Sequence, residues 1–143
     1  MAVKNSRQRN QSSAEASSGR SFFRAVVEIV RAIPRGKILT YGQVAVLAGA
    51  PRASRIVGGV LYRLGPEERV PWQRVVNREG ALSTYKIGFG DKQRKLLEKE
   101  GVAFTARGCV DRKKHQWFPD KKLVKKWELP DHLAFDLQTR FRL

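Results

Sequence analysis

Few residues of this chain have side chains suited to covalent or metal chemistry. Its 143 residues include one cysteine, Cys109, and two histidines, His115 and His132. One thiol cannot form a disulfide within the chain, and one thiol with two imidazoles falls short of the usual ligand set of a structural zinc site. We therefore expect no disulfide, no metal ion and no cofactor.

A tryptophan stands in an unusual setting in the segment PWQRVV at residues 71–76. Trp72 lies between a proline and a polar pair, directly before two valines, and this is not a usual core pattern. An extruded nucleobase stacks well on an indole, which is broad, apolar and carries one hydrogen-bond donor. The alternative is a tryptophan that only packs its own loop, and the residues by themselves leave both interpretations open.

The chain is strongly basic, with 29 Lys and Arg against 13 Asp and Glu and a formal net charge of +16. Such an excess favours a polyanionic partner, and a nucleic acid and an anionic membrane surface both fit the charge alone. No stretch approaches the roughly 18 apolar residues that a membrane span needs, and the N-terminus lacks the apolar core of a signal peptide. We therefore expect a soluble, intracellular protein.

The elements that position these residues are predicted to be mostly helices. Ser21 is expected to cap a first amphipathic helix, because apolar residues follow it at helical spacing. Thr40 is expected to cap a helix over 41–48, and Ser54 a helix over 55–64. Two short helices, a tight turn between them and a basic start to the second indicate a helix-turn-helix.

Two adjacent glycines, Gly58 and Gly59, fall inside the second helix of this predicted motif. Each costs about 1 kcal/mol of helix stability relative to alanine, so their presence needs a reason. One reason is close packing on another helix, and the other is the close approach of a backbone, including that of a nucleic acid. Both remain open at this point.

After these helices the sequence favours a wing or loop-rich hairpin. Extended segments over 70–76 and 81–83 are joined at 77–80, where Asn and Gly suit a turn. Asp91 is then expected to cap a last helix over 92–100, and residues 105–143 are basic with interspersed aromatics.

Several motifs, in order, resemble the DNA-binding domain of the O6-alkylguanine-DNA alkyltransferases. The resemblance covers roughly residues 22–104 and suggests a mostly α, winged helix-turn-helix fold with short strands. The motifs are IPRGK at 33–37, TYGQVA at 40–45, SRIVGG at 54–59, PWQRVVN at 71–77 and KLLEKEG at 95–101.

The resemblance also implies that the chain is not an enzyme. The catalytic family carries Pro-Cys-His-Arg in the loop, and its cysteine takes the alkyl group irreversibly after activation by the histidine. Here Trp72 stands at the position of the cysteine and Gln73 at that of the histidine. Glu100 matches the family's supporting acid, and we expect it to be a helix-end carboxylate with nothing left to orient.

With a tryptophan at this position, the chain resembles the alkyltransferase-like proteins, which bind O6-alkylguanine without repairing it. In that family the stable complex diverts the lesion to nucleotide excision repair. Those relatives usually keep Trp-His-Arg, whereas this chain has Trp-Gln-Arg, so any role of the histidine does not carry over.

The resemblance assigns roles to residues of the helix-turn-helix. Tyr41 matches the tyrosine that crowds the target phosphate and helps to rotate the nucleotide out of the duplex. Arg55 matches the arginine finger that fills the vacated stack, a role suited to a planar, always charged guanidinium. The remaining positions on the DNA-facing surface, which docks in the minor groove, are Thr40, Ala53, Ser54 and Gly58.

The lesion pocket is expected to contain Tyr41, Trp72 and Arg74. Arg74 shapes the pocket floor, stacks on the base or forms a structural salt bridge, and these alternatives stay open. Trp117 either closes the pocket or packs in the core. The lid is not assigned, because the segment from Thr84 to Asp91 aligns poorly with the family.

These observations predict a non-catalytic damage sensor for O6-alkylguanine in duplex DNA, which flags the lesion for nucleotide excision repair proteins. We expect a monomer located in the cytoplasm or nucleoid, or in the nucleus, and not on a membrane. The predicted organisation is a flexible basic arm (1–20), the alkyltransferase-like domain (21–118) and a basic extension (119–143). The alternatives are a winged-helix transcription regulator, a generic DNA coat and an enzyme that uses Cys109.

Overall fold

The computed structural model describes residues 21–141, so the arm predicted over 1–20 lies outside the described residues. Two short strands, β1 (Leu39–Thr40) and β2 (Val75–Val76), accompany the helices. Short 3₁₀ helices span Pro66–Glu68, Trp72–Arg74 and Ser83–Ile87. The α-helices are α1 (Phe22–Ala32), α2 (Tyr41–Leu47), α3 (Ser54–Arg63), α4 (Gly90–Lys99), α5 (Arg112–His115), α6 (Lys121–Lys126) and α7 (Asp131–Thr139).

Two of the predicted helix caps are confirmed. The Ser21 hydroxyl accepts a hydrogen bond from the Arg24 amide at 3.1 Å and begins α1. Thr40 and Gln43 form a reciprocal capping box at α2, in which each side chain accepts from the other residue's amide at 3.1 Å. This box satisfies two amides that the helix itself leaves unpaired, and it places Tyr41 in the first turn of α2.

The other two predicted caps are wrong. The helix α3 begins at Ser54 itself, because the Ala53 carbonyl already accepts hydrogen bonds from the amides of Ile56 and Val57. The helix α4 likewise starts at Gly90, before Asp91, and Phe89 is its N-cap. Neither N-cap residue makes a side-chain capping bond.

The turn predicted over 77–80 is confirmed, but the strand pairing expected across it is wrong. The Asn77 amide donates to the Ala81 carbonyl at 3.1 Å, and the chain beyond enters the 3₁₀ helix at Ser83. The strand β2 pairs in parallel with β1 instead, with Leu39 opposite Val75 and Thr40 opposite Val76. Both strands are buried, so this pairing places β2 in the interior, where its apolar residues lose the most contact with water.

The core has two clusters of buried side chains. A smaller cluster lies under β2 and α4 and contains Val76, Leu82 and Leu97. The larger cluster joins α1, α2 and α3, and it also includes Trp127, Leu133, Leu137 and Phe141 from the C-terminal segment.

The C-terminal segment is therefore packed against the helix-turn-helix within the described residues. The Trp127 indole donates to Glu28 of α1 at 3.0 Å, which fixes the end of α6. The domain boundary at residue 118 stays a prediction. Among residues 21–141, no helix has the length and apolar character required to span a membrane.

Candidate nucleic-acid interface

A cavity of about 1530 Å³ lies beside α3, between the helix-turn-helix and the loops around β2. It brings together six of the eight residues predicted for the site. Ala53 and Arg74 do not line it. The six predicted residues that line the cavity are Thr40, Tyr41, Ser54, Arg55, Gly58 and Trp72.

Tyr41 is half-buried and lies over α3 at Gly58. A Cβ atom placed on Gly58 would lie 3.8 Å from Cε1 of the tyrosine, and one placed on Gly59 would lie 3.8 Å from an Arg63 nitrogen. Both distances are ordinary van der Waals contacts, so close helix packing does not account for the two glycines. The Tyr41 hydroxyl is also within 3.3 Å of the Ser83 hydroxyl, which links α2 to the segment across the cavity.

Arg55 lies in the first turn of α3 and is exposed. Its guanidinium has no hydrogen-bond or ion-pair partner among residues 21–141, and it lines the cavity. The described lining carries six cationic side chains and one carboxylate, that of Glu79. The cavity is therefore suited to an anionic ligand.

Trp72 begins a 3₁₀ turn that is held from below by a buried glutamine. The Gln93 side chain, 1% exposed, donates to the carbonyls of Gln73 and Val75 at 3.0 Å each. Its own carbonyl accepts from the Thr84 hydroxyl. Gln93 thus ties the tryptophan loop to the segment opposite, and sequence reasoning missed it. The available signal was its spacing of four residues from Leu97, which puts both on the inner face of α4.

Glu100 orients two residues of the tryptophan loop, so the expectation that it has nothing to orient is wrong. Its carboxylate accepts from Gln73 Nε2 at 2.8 Å, from Arg74 Nε at 2.9 Å and from the Gly36 amide at 3.0 Å. The Glu100 side chain is 4% exposed. Burial acts to raise the pKa of the Glu100 carboxyl, but these hydrogen bonds and the guanidinium charge outweigh it, so its pKa is lowered.

Arg74 forms the structural salt bridge that was one of the alternatives left open by the sequence. Its Nη1 donates to the Ile33 carbonyl at 2.8 Å while its Nε is paired with Glu100. The guanidinium is therefore committed behind the tryptophan loop and does not line the cavity, and its place in the lesion pocket stays a prediction.

The segment across the cavity has an apolar rim that the sequence did not assign. Ile87 and Phe89 line the cavity and are exposed, and Phe89 meets Tyr62 of α3 edge-on with ring centroids 6.5 Å apart. A Cβ on Gly90 would lie 2.1 Å from Tyr85 Cγ, so only glycine leaves room for this ring. Residues 83–89 therefore form one border of the cavity.

The remaining candidate residues lie outside the cavity. Trp117 packs against the larger core cluster. His115 accepts from the Ala103 amide at 2.9 Å through Nε2 and contacts the Gly36 carbonyl at 2.9 Å through Nδ1, so both ring nitrogens are engaged. Cys109 does not line the cavity. Over 21–141, no group of three or more His, Cys, Asp or Glu is arranged to hold a metal ion.

Replacing Gln93 with leucine is expected to destabilise the fold and to loosen the contact between the tryptophan loop and residues 83–89. The change keeps the size of the side chain but leaves two buried carbonyls without a donor, at about 1–3 kcal/mol each. Urea unfolding should show this loss, while Gln138→Leu, at an exposed position of α7, should change the free energy of unfolding little. Equal effects of the two substitutions would show that the buried bonds of Gln93 contribute nothing.

Comparison with known proteins places this architecture in context. Residues 21–102 match the family model described as the 6-O-methylguanine DNA methyltransferase DNA-binding domain. The chain is 47% identical over 97 residues to a DNA base-flipping protein of Escherichia coli K12, covering 68% of this chain and 74% of that protein. It is 43% identical over 82 residues to Alkyltransferase-like protein 1 of Schizosaccharomyces pombe, covering 57% of this chain and 76% of that protein.

A solved structure agrees with these matches. The crystal structure of S. pombe Atl1 in complex with damaged DNA containing O6-carboxymethylguanine superimposes with a TM-score of 0.62 and 38% identity. The match covers 68% of this chain and 95% of that one. The predicted fold class, mostly α with a helix-turn-helix of alkyltransferase type, is confirmed.

Proposed function

Because this chain belongs to the 6-O-methylguanine DNA methyltransferase DNA-binding domain family, we propose that it binds O6-alkylguanine in duplex DNA without repairing it. The observation that carries the proposal is the composition of the cavity. Tyr41, Arg55 and Trp72 line one cationic space beside α3, and no thiol lines it.

The proposed cycle begins with charge. The basic surface collects the protein on DNA, and α3 enters the minor groove, where small side chains such as Gly58 allow close approach. Tyr41 then strains the backbone at the damaged nucleotide, which rotates into the cavity. Arg55, which has no partner among the described residues, is available to fill the gap in the base stack.

Retention without reaction follows from the side chains around the extruded base. Alkyl transfer needs a thiolate poised by a neighbouring base. Trp72 supplies an apolar face for stacking and no such nucleophile, and the amide of Gln73 is not a base. The Gln73 side chain also donates to Glu100 at 2.8 Å, so its amide group is already engaged in the protein.

The name of one relative and the DNA complex of another support this proposal. One is a DNA base-flipping protein, and another has been solved in complex with DNA that contains O6-carboxymethylguanine. We extend the proposal to a monomer that acts on DNA inside the cell and leaves the lesion to nucleotide excision repair proteins.

The test compares two duplexes at physiological salt, identical except for one O6-methylguanine. We expect the damaged duplex to bind at least about tenfold more tightly, since a weakened pair lowers the cost of extrusion and the pocket retains the base. The recovered DNA should keep its methyl group, and the mass of the protein should not change.

Other outcomes separate the alternatives. Equal binding of the two duplexes would exclude damage recognition and favour a transcription regulator or a DNA coat. Loss of the methyl group with a matching mass gain on Cys109 would show an enzyme.

A further inference from the structure

Part of the cavity wall comes from residues that follow the matched domain. The family match ends at residue 102, yet Arg112, Arg140 and Phe141 line the same cavity as Tyr41. Residues that follow the matched domain therefore complete a surface that the matched domain by itself leaves open.

A buried glutamine ties this segment to the start of α2. Gln116, 9% exposed, donates to Gln43 Oε1 at 2.8 Å and to the Phe141 carbonyl at 3.4 Å. Its own carbonyl accepts from Arg112 Nε at 3.1 Å. Gln43 is the partner of Thr40 in the capping box of α2. One side chain thus connects both arginine-bearing segments to the helix that carries Tyr41.

Phe141 anchors the residues that follow α7 in the larger core cluster. It is buried, and a Cβ on Gly42 would lie only 3.2 Å from its Cε1 atom. Leu133 and Leu137 of α7 are buried in the same cluster. Arg140 therefore projects from a packed helix end at the cavity edge, one residue from an anchored ring.

The two guanidinium groups are held in place and are only weakly compensated by carboxylates. Arg140 meets Asp136 at 3.9 Å, with side chains 54% and 40% exposed, and such surface pairs contribute little. The Arg112 guanidinium donates to Gln116 through Nε, and its Nη atoms make no hydrogen bond to any residue of 21–141. Burial lowers the pKa of Arg112, and the nearby Glu79 charge opposes this effect. An approaching anion would offset the remaining cost of burial.

We propose that Arg112 and Arg140 bind phosphodiester groups of the DNA strand that passes Tyr41. Guanidinium groups match phosphate oxygens with paired donors, and the cavity already carries a large excess of cations. The inference rests on the proposed function for its ligand, duplex DNA. Unlike the proposed function, the inference explains how the duplex is positioned, because phosphate contacts position the duplex and do not discriminate a damaged base.

The test measures how affinity for an undamaged duplex depends on salt. In Arg112→Gln/Arg140→Gln, the slope of log K against log salt concentration should become less negative by about 1.8, which corresponds to two lost phosphate contacts. Affinity at low salt should fall about tenfold or more. The ratio of affinities for damaged and undamaged duplex should stay at the wild-type value.

The control removes the same charge elsewhere. Lys122→Gln/Lys125→Gln alters two exposed lysines of α6 that do not line the cavity, and should change the slope much less. Equal slopes for the two double variants, or no change in the arginine variant, would overturn the inference. If the arginine variant does not fold, as judged by circular dichroism, Arg140→Gln against Lys122→Gln decides, with an expected slope change of about 0.9.

This design separates the inference from the proposed function. A wild-type protein that binds both duplexes equally would end the damage-sensor proposal. The slope change on undamaged DNA would still support or overturn the phosphate contacts.

Discussion

Replacing Arg55 with alanine is expected to lower the affinity for an O6-methylguanine duplex by about 10- to 100-fold, the range expected when one stacking contact is removed. Arg55 is exposed at the start of α3, lines the cavity and has no partner among residues 21–141. Its loss should therefore cost the fold little and act almost wholly on the complex. Fluorescence anisotropy with damaged and undamaged duplexes measures both affinities.

Two further variants separate shape from charge. Arg55→Lys keeps the charge but lacks the planar group that replaces a stacked base, so it should retain affinity for undamaged DNA and lose preference for the lesion. Arg63→Ala removes an exposed arginine from the other end of α3, outside the cavity lining, and should leave that preference unchanged. If Arg55→Lys binds the lesion as the wild type does, Arg55 only contacts phosphate.

Replacing Glu100 with glutamine is expected to have the largest effect on stability, a loss of about 3–5 kcal/mol at neutral pH. The carboxylate is 4% exposed and its partner Arg74 is 16% exposed, so the substitution leaves a nearly buried guanidinium without its counter-charge. Gln73 also loses a charged acceptor, and the tryptophan loop should become less ordered. Urea unfolding of the wild type and variant measures the difference.

The same pair of proteins makes a prediction about pH. The pKa of Glu100 is lowered in the folded state, so the folded protein binds fewer protons there than the unfolded chain. The stabilisation is complete above the ordinary pKa of 4.5 and is lost as the pH falls through the lowered value. The difference in the free energy of unfolding between wild type and variant should therefore be constant near neutral pH and decrease in acid.

A surface carboxylate in the last turn of α4, the helix that ends directly before Glu100, serves as the control. Glu98 pairs with Arg94 at 3.4 Å, with side chains 51% and 38% exposed. Glu98→Gln should cost less than about 1 kcal/mol. A Glu100→Gln protein that is as stable as Glu98→Gln would contradict a stabilising role for the buried network.

The helices α1 to α4 were predictable because their signals are local, whereas no helix was predicted for residues 105–141, where the structure has α5, α6 and α7. Helical spacing of apolar residues marks α1, and the Thr40 and Gln43 pair marks the start of α2 within four residues of chain. The strand β2 was placed with the wrong partner, because two buried valines fit a hairpin and an interior parallel pair equally well. The choice between them depends on β1, which is distant in the chain.

By itself the sequence determined the family and the helix-turn-helix, since these follow from residue types in a fixed local order. Only the tertiary structure decided what the polar side chains do. Arg74 meets Glu100 across 26 residues, and Gln116 meets Gln43 across 73. A buried polar group is stabilised by whichever partner the fold brings within hydrogen-bond distance, and composition and spacing do not encode that distance.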